Sequence, residues 1–116
     1  MNQRICSLLD KKCKPCEGGM PSLKPEEFQP MLQEISGWTV VDNKQLEKEY
    51  KFKNFKQAIE FINKIAPVAE SEGHHPDILL HGWNKVKIML STHAIGGLSE
   101  NDFILAAKID NVLSTA

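Results

Sequence analysis

The sequence predicts an α+β domain with two layers, a four-stranded antiparallel sheet carrying helices packed on one face. Three observations predict it. Runs that alternate apolar and polar residues occur as two adjacent pairs, each split by a short polar turn. A segment with apolar residues at spacings of three and four follows each pair, and another helical segment leads the series. The order is helix, then strand-strand-helix twice, which one sheet covered on a single face accommodates.

The leading helix is expected from Ser22 as N-cap, with Pro25 at an early position and Glu26 and Glu27 in the first turn, where acids suit the positive helix end. Pro30 must lie in the first turn or distort the helix before Met31, Leu32 and Ile35 pack. After Gly37, the run Trp38 to Val41 pairs with Gln45 to Phe52 across Asp42-Asn43-Lys44. In the second run Leu46, Lys48, Tyr50 and Phe52 share one parity, and Gln45, Glu47, Glu49 and Lys51 the other, so one face is buried and one wet. Phe55, Ala58, Ile59, Ile62, Ile65, Ala66 and Ala69 mark the apolar stripe of the next helix, which Pro67 bends and Gly73 closes. A second hairpin joins Asp77–Trp83 to Lys85–Thr92 across Asn84, with Val86, Ile88, Leu90 and Thr92 on one face. Gly96-Gly97 turns into a last helix capped by Ser99. It carries Leu105, Ala106, Ile109, Val112 and Leu113 on one side, with Phe103 and Ala107 further round. An open sheet face and this broad apolar helix predict self-association as a dimer or tetramer.

Composition bounds the function. The chain has 116 residues, 41% hydrophobic and 25% charged, with a net charge of −1, which fits one soluble domain and neither a disordered tail nor a basic nucleic-acid binder. No apolar stretch approaches the ~20 residues of a membrane span, and Asp10 arrives before any secretory apolar region develops, so the cytoplasm is the expected compartment. Residues 1–21 read as an N-terminal extension holding all three cysteines, Cys6 and the pair Cys13 and Cys16, and residues 22–116 as the domain. An odd cysteine count predicts reduced thiols rather than a disulfide framework.

All four histidines fall between positions 74 and 93. Because the strands of the second hairpin are antiparallel, His74, His75 and His93 should share one rim of the sheet and His81 the opposite end. Imidazole titrates near neutrality and suits acid–base work on a small molecule. Glu70, four residues before His74, is placed to orient an imidazole. Zinc on His74, His75, His93 and Glu70 is the competing chemistry, but His-His-Pro is not a familiar ligand spacing, and no metal is expected. Asp102 is either a capping-box residue for Ser99 or a substrate contact; Trp83 is either core or a stacking surface for a flat ring.

The segments Ala69-Glu70-Ser71-Glu72-Gly73-His74-His75-Pro76, Trp83-Asn84-Lys85-Val86, Leu90-Ser91-Thr92-His93 and Gly97-Leu98-Ser99 with Asp102 resemble the pterin-4a-carbinolamine dehydratase family. The resemblance implies loss of water from 4a-hydroxytetrahydropterin to give quinonoid dihydropterin, without metal or cofactor, in recycling the pterin of an aromatic amino-acid hydroxylase. It implies His74, His75 and His93 as catalytic residues, with Glu70 supporting. Trp83 and Asp102 are candidate substrate contacts. His81 has no counterpart in the motif, and Ile78 to Gly82 departs from the more aromatic sequence of animal members. Helix ends suggest His74 and His75 as the acid side and His93 as the base. Animal members also act as dimerisation cofactors of a homeodomain transcription factor, which implies an alternative role as a non-catalytic interaction module that does not itself touch nucleic acid.

Overall fold

A computed structural model describes residues 8–14 and 21–114. Its elements are a 3₁₀ turn Leu8–Asp10, helix α1 Pro25–Leu32, strands β1 Thr39–Val41 and β2 Gln45–Lys51, helix α2 Phe55–Glu72, strands β3 Asp77–His81 and β4 Lys85–Leu90, a 3₁₀ turn His93–Ile95, and helix α3 Glu100–Ser114. The four strands form one antiparallel sheet, as the sequence predicts, and their order is β1-β2-β4-β3. Cys6, Cys16 and most of the extension lie outside the described residues. Among the described residues no helix is long and apolar enough to cross a membrane.

Strand alternation sets the two faces. Leu46, Tyr50, Val86, Ile88 and Leu90 are buried beneath the helices together with Phe61, Ile65, Phe103, Leu105 and Ile109. The outer face carries charge pairs, Glu47 with Lys87 at 3.1 Å and Glu49 with His81 at 2.7 Å. Lys48 has inward parity, and its ammonium reaches Asp110 at 2.9 Å. Asp110 also accepts from Trp38 Nε1 at 2.9 Å and from the Tyr50 hydroxyl at 2.6 Å, so three donors from the sheet side converge on one α3 carboxylate. Burial first, and then that carboxylate, pushes the Tyr50 phenol well above its ordinary range.

Several boundaries differ from expectation for local reasons. Lys24, not Ser22, is the N-cap of α1, and its N–H donates to Glu27 Oε1 at 2.7 Å. The residues before it are engaged elsewhere: Leu23 N–H donates to Leu98 O at 2.8 Å, and Ser22 lies so close to Gly97 that a Cβ there would meet its Cβ at 2.7 Å. Pro30 stays inside α1, which ends at Leu32, so Ile35 packs from the following turn. Phe28, absent from the predicted packing, is the buried residue of that helix and stacks on Phe103. The buried row of α2 is Ala58, Phe61, Ile65 and Ala69, while Phe55 and Ala66 are exposed, so the stripe is rotated from the expected one. Gly73 closes α2 at φ +68°, where its N–H and that of His74 both donate to Ala69 O. Strand β4 stops at Leu90, and Thr92 instead forms an isolated bridge to Gly97. Leu113, expected on the packed side of α3, is exposed.

Candidate active site

Three segments meet at one end of the sheet. The left-handed Gly73 turns the chain out of α2 and throws His74 and His75 onto the rim where β3 begins. The register pairs Asp77 with Met89, so β4 delivers its continuation, Ser91 to His93, to that same rim. The Thr92–Gly97 bridge then folds the chain back into the first turn of α3. His74, His75 and His93 line one hollow of about 300 Å³, with Lys14 and Asn101 in its wall. On its other side His93 also borders a hollow of about 220 Å³ lined by Lys44, Gln45, Gly96 and Gly97. A larger hollow of about 550 Å³ against α2 and α3 holds no histidine.

The three rings differ in setting. His74 is 12% exposed, and its Nε2 lies 2.6 Å from Oδ1 of Asp102, which is fully buried. The other oxygen of Asp102 accepts from the Thr92 hydroxyl at 2.8 Å and from Ser99 N–H at 2.9 Å. The Ser99 and Thr92 hydroxyls are paired at 2.7 Å. Asp102 thus does what the capping-box reading expected and also holds the imidazole, which that reading missed. A carboxylate acceptor at this distance puts a proton on Nε2 and leaves Nδ1 for exchange. His75 is largely exposed, and its Nε2 meets the equally exposed Glu70 at 2.9 Å, a pair that water weakens. Glu70 therefore orients His75, not His74.

The remaining sequence candidates lie elsewhere. His81 is at the far end of β3 against Glu49. Trp83 sits in the 82–84 turn at φ +59°, 62% exposed, at the end of the hairpin away from the histidines, so within one chain it neither packs in the core nor reaches the hollow. Asp102 is not positioned as a substrate contact, because it is buried behind His74. Helix ends do not divide acid from base here, because His74 follows α2 yet lies against the first turn of α3, where the two helix fields oppose. A carboxylate in the buried run Asn101 to Ala106 was the signal available for the His74 pairing, since a buried charge needs partners. Among the described residues no group of three or more His, Cys, Asp or Glu is arranged to hold a metal ion.

Comparison with known proteins shows the family and the fold. A relative from Nitrosomonas eutropha, provisionally named pterin-4-alpha-carbinolamine dehydratase, is 49% identical over 110 residues, covering 94% of this chain and 96% of its own. A crystal structure of a transcriptional coactivator/pterin dehydratase from Brucella melitensis superposes with TM-score 0.73 at 32% identity, covering 78% of this chain and 97% of that one. A pterin dehydratase-like protein described as a RuBisCO assembly factor in the alpha-carboxysome gives TM-score 0.56 at 27% identity, covering 66% of this chain and 88% of that one. The model of the pterin 4 alpha carbinolamine dehydratase family matches residues 21–112, and with nearly the whole chain covered by such a relative, this protein belongs to that family of hydro-lyases.

Proposed function

We propose that this protein dehydrates 4a-hydroxytetrahydropterin to quinonoid dihydropterin by histidine acid–base catalysis. The observation that carries the reading is the buried Asp102 carboxylate holding His74 at the rim shared with His75 and His93. Water leaves when the 4a-hydroxyl gains a proton and its bond to C4a breaks. Loss of the N5 proton then lets the nitrogen electron pair form the C4a=N5 double bond. The two transfers balance, and no electrons enter or leave. His74 is the donor in this reading: Asp102 accepts from its Nε2, which leaves Nδ1 to carry the proton given to the 4a-hydroxyl. His93, across the hollow, takes the N5 proton, and His75 with Glu70 borders the open side.

In this reading the protein works in the cytoplasm as a homo-oligomer, with residues 1–21 as an extension of the domain 22–116. Its product returns to the tetrahydropterin pool used by an aromatic amino-acid hydroxylase. The alternative is a non-catalytic interaction module, in line with the coactivator and assembly-factor descriptions of the two structural neighbours. A scaffold has no need of three histidines at one rim, and that favours the enzyme. Stopped-flow decay of freshly generated 4a-hydroxytetrahydropterin, with a chelator present, tests the choice. Acceleration that survives chelation is expected. No acceleration would move the reading to the interaction module, and acceleration abolished by the chelator would revive zinc.

A further inference from the structure

We infer that residues 8–14 build a working wall of this pocket and that Lys14 contacts the bound pterin, an inference that rests on the dehydratase reading. These residues precede the part of the chain matched by the family model, yet they are fastened to the helical layer along their length. Leu8 is buried, and its N–H donates to Glu34 Oε1 at 3.3 Å. Lys108 donates to Leu9 O at 2.9 Å, Lys12 to Ser71 O at 3.0 Å, and Cys13 N–H to Glu72 at 2.8 Å.

The final anchor is reciprocal. Lys14 N–H donates to Asn101 Oδ1 at 2.9 Å, while Asn101 Nδ2 donates to Lys14 O. Asn101 stands on the first turn of α3 beside Asp102, so one helical turn fixes both the His74 ring and the Lys14 backbone. Burial of Leu8 alone would keep the segment on the protein. An amide that directs a donor and an acceptor at a single residue sets where Lys14 stands, and it stands in the wall of the hollow that His74, His75 and His93 line.

A lysine brings three N–H donors and no acceptor, which suits the oxygens of a pterin, its 4-oxo group and side-chain hydroxyls, rather than its donor-bearing edge. Neither proton transfer of the dehydration needs it. Its effect falls on binding.

The test uses the full chain with Lys14→Met and with Glu72→Ala, which removes the acceptor of Cys13 N–H without touching the pocket wall. Fluorescence titration with 7,8-dihydrobiopterin as a stable probe is read beside KM and kcat for the carbinolamine. Lys14→Met should raise the probe Kd and the KM about tenfold, the worth of one charge-assisted hydrogen bond, with kcat within twofold and the fold retained by circular dichroism. Glu72→Ala should raise both in the same direction, and the double variant should fall short of the product of the two, because both act through one contact. An active wild type with Lys14→Met binding the probe as tightly as wild type overturns the inference alone. A wild type that neither binds the probe nor dehydrates overturns the dehydratase reading, and this inference with it.

Discussion

Asp102→Asn replaces one oxygen of the carboxylate with a donor at nearly constant volume, and the structure dictates which side suffers. On one side Ser99 N–H and the Thr92 hydroxyl both need an acceptor, so the amide oxygen turns there. The NH₂ group is then left facing His74 Nε2 at a position where the native distance is 2.6 Å. Two donors cannot share that contact, so His74 must move its proton to Nδ1 or swing away. A ring that swings away leaves the hollow, and the other tautomer could give its Nδ1 proton only by becoming an imidazolate, so neither serves as the donor of the proposed mechanism. The expected loss in kcat/KM is the worth of a general acid, about 10² to 10⁴, or roughly 3 to 5 kcal/mol of transition-state stabilisation.

Folding should survive. The capping bonds to Ser99 and Thr92 persist, and the loss of one buried charge-assisted bond costs about 1–3 kcal/mol. The assay is stopped-flow decay of the carbinolamine from pH 5 to 9, paired with ¹⁵N NMR of the imidazole. The native spectrum should report His74 protonated on Nε2, and the variant should report the other tautomer. Glu70→Gln is the internal contrast, because its pair with His75 is exposed to water, and its rate should stay within about threefold. A variant at position 102 that keeps the Nε2–H tautomer and a rate within threefold of wild type would refute the role of the buried carboxylate.

Asp110→Ala strands the Lys48 ammonium, the Tyr50 hydroxyl and the Trp38 indole N–H together, so urea unfolding should show a loss of about 2–4 kcal/mol, and Asp110→Asn a smaller one. Trp83→Gly relieves a non-glycine residue held at φ +59° while removing a side chain that is mostly in water, so the protein should gain about 0.5–1 kcal/mol and melt a few degrees higher. A lower melting temperature would mean that the indole is packed against something beyond its own chain. Burial, and then Glu72 beside it, pushes the Cys13 thiol from 9.0 up to about 12. The folded chain therefore holds that proton more tightly than the unfolded one, so this group's contribution to stability is complete below about pH 9 and declines as pH rises toward 12. Site-resolved alkylation of Cys13 by iodoacetamide at pH 8 should be far slower in the native protein than in urea.

What could be read from the sequence, and what could not, divides along the range of the interactions involved. The alternation of Val86, Ile88 and Leu90 with lysines and methionine states which face is buried, because period two is a local property that any sheet partner must respect. Gly73 reads as a helix stop for the same reason, since a left-handed residue is needed wherever α2 ends. The rim of three histidines follows from antiparallel pairing alone. The rotation of the α2 stripe does not, because Phe61 is chosen over Phe55 by the rings of Tyr50 and Phe52 waiting on the sheet, at 4.7 and 5.1 Å. Glu70 looks like the natural partner of His74 because it stands one helical turn earlier. Yet Gly73 breaks the helix between them, and the ring turns instead to a carboxylate 28 residues further along the chain. The same reasoning explains Lys14. Nothing in its neighbourhood in the sequence advertises a place in the pocket, and only the fold, by setting the first turn of α3 beside the exit of α2, brings Asn101 within reach of its backbone. The histidines were visible as residue types, whereas the contacts that fix the His74 ring and the Lys14 backbone are long-range ones held by a single turn of α3.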